Sequence, residues 1–201
     1  MTSVAWILLA GLVYAALHSL TASLWVKALV RRLLGPATER WYRLVFNLFA
    51  GLSLLPLLAL VAWLPDQGLY QIPFPWLLLT GLGQLLGLGI ILAGLLQTDP
   101  WHFTGLRQLL RRGDQPAEPP LVTGGIYARM RHPLYSGSLL VIWLLPSMTT
   151  NLLALFVLLS IYMFVGARFE ERRLEHEFGQ AYRAYRQRVP MLIPRLTRPS
   201  S

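Results

Sequence analysis

Long apolar runs alternate with short polar, basic segments along this chain. A membrane-spanning helix needs about 20 predominantly apolar residues. Val4 to Val26 meets that length, interrupted by His18. Leu44 to Leu64 meets it with an internal Pro56, which predicts a kink, and Trp76 to Leu96 meets it with a high glycine content. Within that third run, Gly83 and Gly87 are four apart, the spacing that lets helix backbones approach closely. The last apolar region splits at Ser147-Met148-Thr149-Thr150-Asn151 into two arms, Pro133 to Pro146 and Leu152 to Ala167. Each arm, at about 1.5 Å per helical residue, falls short of a hydrocarbon core about 30 Å thick. After the arms, Leu174, Phe178, Tyr182, Tyr185 and Val189 recur at helical spacing among Arg and Glu. That pattern predicts an interfacial amphipathic helix over Arg168 to Arg188, ended by Pro190 and Pro194. Asp99 to Leu110 predicts a shorter one. Gly113 to Pro120 reads as a linker and Pro199-Ser200-Ser201 as a frayed tail.

The predicted fold class is therefore all-α: a polytopic membrane protein with five transmembrane helices, the last two a hairpin, and a C-terminal interfacial helix. Residues 1–112 hold three spans and an amphipathic connector. Residues 113–201 hold the hairpin and the polar clusters that flank it.

Charge fixes an expected orientation. All 18 basic residues fall in the segments between spans one and two, between spans three and four, or after span five. The opposite loops carry one charged residue, Asp66. Basic loops stay on the cytoplasmic side, so the N-terminus is expected outside and the C-terminus in the cytoplasm, in a bacterial inner membrane. The net charge of +9 is then accounted for by anionic lipid headgroups, without nucleic acid as a partner. No Lys or Arg precedes the first run, so a retained helix is expected there rather than a cleaved signal peptide. Composition agrees: 55% of residues are hydrophobic and 13% charged, against about 25% charged in soluble domains. The chain has no cysteine, which excludes disulfides, thiolate metal sites and a cysteine nucleophile.

Candidate chemistry gathers on the basic side. Leu121 to Tyr135 supplies one imidazole, two guanidinium groups, two phenols and the pair Gly124-Gly125, which allows close backbone approach to a ligand. Pro133 suits the first turn of a helix, which sets His132 and Tyr135 on one face. Arg131 can grip a carboxylate or phosphate. Glu170 and Glu171 can accept from ribose hydroxyls or an ammonium group, and aromatic faces can hold a sulfonium. Each residue also has a plain reading: Arg129 and Arg131 as headgroup anchors, Tyr127 and Tyr135 as interfacial aromatics, the glutamates as surface ion pairs. His18 suits either a hydrogen bond inside the bundle or a functional role. The histidines His18, His102, His132 and His176 form no metal-binding spacing, and there is no Walker loop, dinucleotide fingerprint or nucleophile elbow.

Together the stretches Leu121-Val122-Thr123-Gly124-Gly125-Ile126-Tyr127, Arg131-His132-Pro133-Leu134-Tyr135 and Glu170-Glu171 followed by Leu174, Phe178-Gly179, Tyr182, Tyr185 and Val189-Pro190 resemble the isoprenylcysteine carboxyl methyltransferase family and its phospholipid methyltransferase relatives. The likeness covers the last 70 to 80 residues or so. The N-terminal half, through His18-Ser19 and Asp99 to Gln108, looks closer to bacterial small-thiol methyltransferases of the same superfamily. The resemblance implies S-adenosylmethionine as cofactor, held by Leu121, Val122, Tyr127, His132, Pro133, Leu134, Tyr135 and Glu170, with Gly125 and Glu171 beside them. Arg131 and Arg168 are the candidates for a catalytic part, and no residue is identified as a base. The chain departs from the prenylcysteine enzymes in having Gly166 where they carry an arginine, four residues before Glu170. An ungapped count puts Arg112 where the family carries a glutamine. The first departure argues against a prenylcysteine carboxylate, and the expected acceptor is a small lipophilic thiol, carboxylate or lipid reached from the bilayer.

A membrane reductase of the sterol-reductase kind, using NAD(P)H, shares part of the C-terminal pattern. Such enzymes carry an acidic residue soon after the motif tyrosine, where this chain has Ser136-Gly137-Ser138. A non-catalytic accessory membrane protein is the third reading.

Overall fold

A computed structural model describes residues 2–106 and 120–195, without the side chains of His102 and Phe103. Arg107, Arg111, Arg112, most of the proposed linker and the C-terminal tail lie outside the described residues. The described chain is mostly helical: α1 Ser3–Ala22, α2 Leu24–Leu34, α3 Thr38–Trp63, α4 Trp76–Gln97, α5 Pro100–Thr104, α6 Pro133–Trp143, α7 Thr150–Phe178 and α8 Gln180–Arg188. A 3-10 turn covers Gly125–Ala128, and two short strands, β1 Gly68–Gln71 and β2 Ser147–Thr149, pair as a ribbon. Among the described residues, α1, α3, α4 and α7 are long and apolar enough to cross a membrane. Leucines along them are exposed, as a lipid-facing surface requires.

The elements differ from the sequence expectation in three places. The first run ends at Ala22 rather than Val26, because Ser23 accepts from the Val26 amide and starts α2. That second helix carries Lys27, Arg31 and Arg32 until Gly35, at φ 84°, ends it. The two arms of the hairpin are unequal: α6 has 11 residues and α7 has 29. The helix expected over Arg168 to Arg188 is not one element. Its first half continues α7 to Phe178, and Gly179, at φ 54°, separates it from α8. A helix satisfies its own backbone in lipid or water, so the change from apolar to charged side chains at Arg168 does not interrupt it.

The chain divides into two compact units. Among the described residues, the first contains 2–68, 99–106 and 149–158. In it, the Tyr14 hydroxyl donates to the Ala50 carbonyl (3.4 Å) and the Tyr42 hydroxyl to that of Thr21 (2.6 Å). His18 lies against the Tyr14 and Phe46 rings, with centroids 5.7 and 5.0 Å away. Asp66 accepts from the amides of Gln67 and Asn151, and so caps the start of α7. The buried Asn151 side chain donates to carbonyls of Leu64 and Pro65.

Among the described residues, the second unit contains 69–98, 120–148 and 159–195. Its frame is α4 against α6. A Cβ on Gly87 would stand 2.8 Å from the Gly137 carbonyl oxygen, so the two backbones touch and neither position admits a side chain. Gly83 meets Leu144 and Gly94 meets Pro133 and Leu134 along the same face. The Gln84 amide donates to the Val141 carbonyl (3.1 Å), and the Trp143 indole donates to Ser160 of α7 (2.9 Å).

A candidate active site at the mouth of α6 and α7

The polar cluster is assembled from four pieces of the second unit. Pro133 at the first turn of α6 leaves His132 and Arg131 just outside the helix. The α7 extension presents Glu170 and Glu171. The length of α7 explains their position: about 20 residues at 1.5 Å cross the hydrocarbon, so a helix begun at Thr150 emerges near Glu170. The segment after α8 then pairs with the approach to α6. Arg131 and His132 amides donate to the Pro190 and Met191 carbonyls (2.9 and 3.1 Å), and the Arg195 amide to that of Arg129 (3.0 Å).

Within this frame the two glutamates have opposite surroundings. The Glu171 side chain is 3% exposed and receives Nε (2.7 Å) and Nη2 of Arg131 on Oε1. His132 Nε2 stands 3.3 Å from the same oxygen, and Arg186 Nε 3.7 Å from the other. Arg131 also donates through Nη1 to the Arg186 and Val189 carbonyls. Arg131 and Glu171 therefore hold α7, α8 and the approach to α6 together. Glu170 is 42% exposed. Its Oε2 accepts from the Tyr135 hydroxyl (3.3 Å) and lies 3.6 Å from His132 Nδ1. The His132 and Tyr135 rings stack at 5.5 Å with 16° between planes. A continuous line thus runs Arg131, Glu171, His132, Glu170, Tyr135.

The other expected residues take distinct places. Tyr127 and Gly125 sit in the 3-10 turn, where the Gln97 side chain accepts from the Ile126 amide (3.1 Å). Gly125 has φ 57°, and a Cβ there would strike the Gln97 amide. Leu121 packs on the buried cluster of Tyr182, Tyr185 and Val189, and Val122 beside it is half-buried. Pro133 and Leu134 face Gly94 of α4. Arg168 stands at the outer edge of the cluster. It is exposed, with its guanidinium over the Phe164 ring at 5.1 Å. It lines an open cleft with Glu171, Arg172, Glu175 and Arg186.

Gln97 was not singled out by the sequence; a polar residue closing the apolar α4 was its only signal. Tyr185 and Tyr182 stood out as helix-face and motif residues but not as site residues. Tyr185 donates to the Tyr127 carbonyl (2.7 Å). Tyr182 is 1% exposed, and its hydroxyl has no partner among the described residues. Burial, and next the charge of Glu171, push its phenol up to about 12. Burial raises Tyr127 and Tyr185 as well, so all three stay neutral donors.

Apolar helices with a charged, aromatic cluster at one end define an integral-membrane protein with a polar site at its rim. Residues 84–181 match the phospholipid methyltransferase family. The chain is 35% identical over 179 residues to methanethiol S-methyltransferase 2 of Bradyrhizobium diazoefficiens, covering 80% of this chain and 66% of that one. It is 32% identical over 190 residues to methanethiol S-methyltransferase of Crocosphaera subtropica, covering 90% and 71%. Protein-S-isoprenylcysteine O-methyltransferase B of Arabidopsis thaliana is 38% identical over 79 residues, 37% of this chain and 39% of that one. The chain belongs to this family of membrane methyltransferases. It spans between 44% and 66% of the length of the Bradyrhizobium and Pseudomonas methanethiol S-methyltransferases. No solved structure matches it.

Proposed function

We propose that this chain is an S-adenosylmethionine-dependent methyltransferase that methylates a small lipophilic thiol. The observation that carries the reading is the contrast between the two adjacent glutamates. Glu171 is consumed by Arg131 and His132, whereas Glu170 keeps an accessible carboxylate beside two stacked rings. The names of the relatives add the acceptor class.

The residues present fit the cofactor. Glu170 is an open acceptor for an ammonium group or ribose hydroxyls, and Tyr127, His132 and Tyr135 offer aromatic faces that suit a cation. Leu121 and Val122 offer apolar surface beside backbone groups, and Gly125 lets the chain approach closely. Pro133 and Leu134 fix the start of α6 under these groups. The buried, unpartnered Tyr182 hydroxyl is a polar atom that a ligand or water must satisfy. S-Adenosylmethionine supplies an electrophilic methyl group on a sulfonium.

Methylation of a thiol forms a carbon–sulfur bond and releases the S–H proton. The Tyr135 oxygen can accept that proton while its own passes to Glu170, to which it already donates. Positioning supplies the rest, worth up to ~7–11 kcal/mol when reacting atoms are held in line. Arg131 and Glu171 are positioning residues in this scheme. Residues 1–112 serve as the membrane scaffold and 113–201 as the cofactor-binding core. The site faces the cytoplasm of a bacterial inner membrane, where the cofactor is available.

Calorimetric titration of the detergent-purified protein with S-adenosylhomocysteine, with NADPH in parallel, tests the cofactor. Saturable binding of the first alone is expected. Binding of NADPH alone would move the protein to the reductases, and binding of neither by folded protein would remove the enzymatic reading. Transfer of labelled methyl to methanethiol then tests the acceptor.

A further inference from the structure

Gly166 is the only glycine in α7, and nothing in its packing requires one. A helix interior disfavours glycine relative to alanine. The other helical glycines of this unit fall into two groups: Gly83, Gly87, Gly94 and Gly137 press on another helix closely enough that a Cβ would collide, whereas Gly81 and Gly89 of α4 face open space. Gly166 belongs to neither group. A Cβ there would meet only the Tyr135 hydroxyl, at 3.9 Å, and no backbone at all. Its φ is not in the left-handed region either.

The space it leaves is next to reacting groups. Gly166 is one turn before Glu170 on the same helical face, and the Tyr135 hydroxyl that borders the space donates to Glu170. That turn lies about 6 Å further into the apolar length of α7. From Thr150 to Ala167 the helix carries no charged side chain. Arg168 is turned onto Phe164, about 200° around the helix from Gly166.

We infer that Gly166 is a specificity-determining residue: the missing side chain forms the seat of the methyl acceptor beside the Tyr135 hydroxyl. The seat is small, apolar on its membrane side and without a cation. It therefore takes a short neutral thiol and rejects a carboxylate-bearing or bulky-headed acceptor. This rests on the function proposed above. In the step, the thiol sulfur forms its bond to the methyl carbon, the donor's carbon–sulfur bond breaks, and the S–H proton leaves through Tyr135 to Glu170.

The test uses Gly166→Ala and Gly166→Leu in the full chain, with three readouts: S-adenosylhomocysteine affinity, thermal unfolding, and kcat/KM for alkanethiols of one to six carbons. Affinity should stay within about twofold of the parent. Gly166→Ala should raise Tm by about 1–3 °C, since it adds helix propensity without a clash. It should nevertheless lower kcat/KM at least tenfold for the longer thiols and less for methanethiol. Gly166→Leu should lower all of them more than 100-fold. An unchanged thiol profile in both variants overturns the inference, and so does loss of cofactor affinity in Gly166→Ala. Parent protein that binds S-adenosylhomocysteine but methylates no thiol overturns the acceptor class and this seat together. Parent protein that does not bind it defeats the proposed function first.

Discussion

Two neighbouring carboxylates on α7 carry different work because of what surrounds them. Glu171 is enclosed by the Arg131 guanidinium and the His132 ring, and its removal leaves a buried cation whose other hydrogen bonds go to main-chain carbonyls. Breaking a buried pair from one side costs about 3–5 kcal/mol. Glu171→Gln and Arg131→Ala are therefore expected to lower unfolding stability in detergent by that order. Glu170 is part-exposed, and its partners are a phenol and an imidazole that can rebond to water or amide. Glu170→Gln is expected to cost less than about 1 kcal/mol while weakening S-adenosylhomocysteine binding at least tenfold. Thermal unfolding and calorimetry on the same preparations separate the two roles. If Glu170→Gln proves the less stable variant, or Glu171→Gln the fully folded non-binder, the roles assigned to them must be exchanged.

At the scale of elements, the α4–α6 contact is set by glycine on both sides. Gly137→Ala puts a methyl group against the Gly87 carbonyl oxygen and Ile91, and backbone cannot step aside as a side chain can. A loss of about 1–3 kcal/mol is expected, as for overpacked cores. Gly89, on the same helix as Gly87, faces open space, so Gly89→Ala should be neutral or gain up to about 1 kcal/mol. Equal stability of both variants by thermal unfolding would dissolve the contact as described. Much of this level was legible in the sequence. Hydropathy runs marked the long helices, and Gly83 and Gly87 announced close packing, because both signals are local. The break at Ser23 was hidden inside an apolar run, since one serine both ends α1 and starts α2. The continuation of α7 past Ala167 was hidden by its change of polarity. The motif identified which residues gather but not how they pair. Arg131 ends on the carbonyls of Arg186 and Val189, and a main-chain acceptor leaves no mark in a sequence.

At the scale of the whole molecule, the charges and the ribbon bear on how the chain is threaded through the bilayer. The 18 basic residues and the single acidic residue of the opposite loops predict opposite sides for Asp66 and the C-terminal region. Each basic residue near an anionic surface adds about 1 kcal/mol toward that choice. The pairing of β1 with β2 keeps residues 147–149 beside residues 68–71, so the return from α4 must end on the same side as α4 began. Helix α6, with 11 residues, is only about 17 Å long, and the β1–β2 pairing at its end returns the chain beside the start of α4. The absence of cysteine makes the arrangement directly measurable. Gln71 and Gln187 are both exposed, so single Gln71→Cys and Gln187→Cys variants should fold. In bacterial spheroplasts a membrane-impermeant maleimide is expected to label Cys at 71 at once, and Cys at 187 only after permeabilisation. The reverse order would invert the topology and put the site away from its cofactor. Labelling of both from outside would mean that α7 does not cross, which is incompatible with its apolar length.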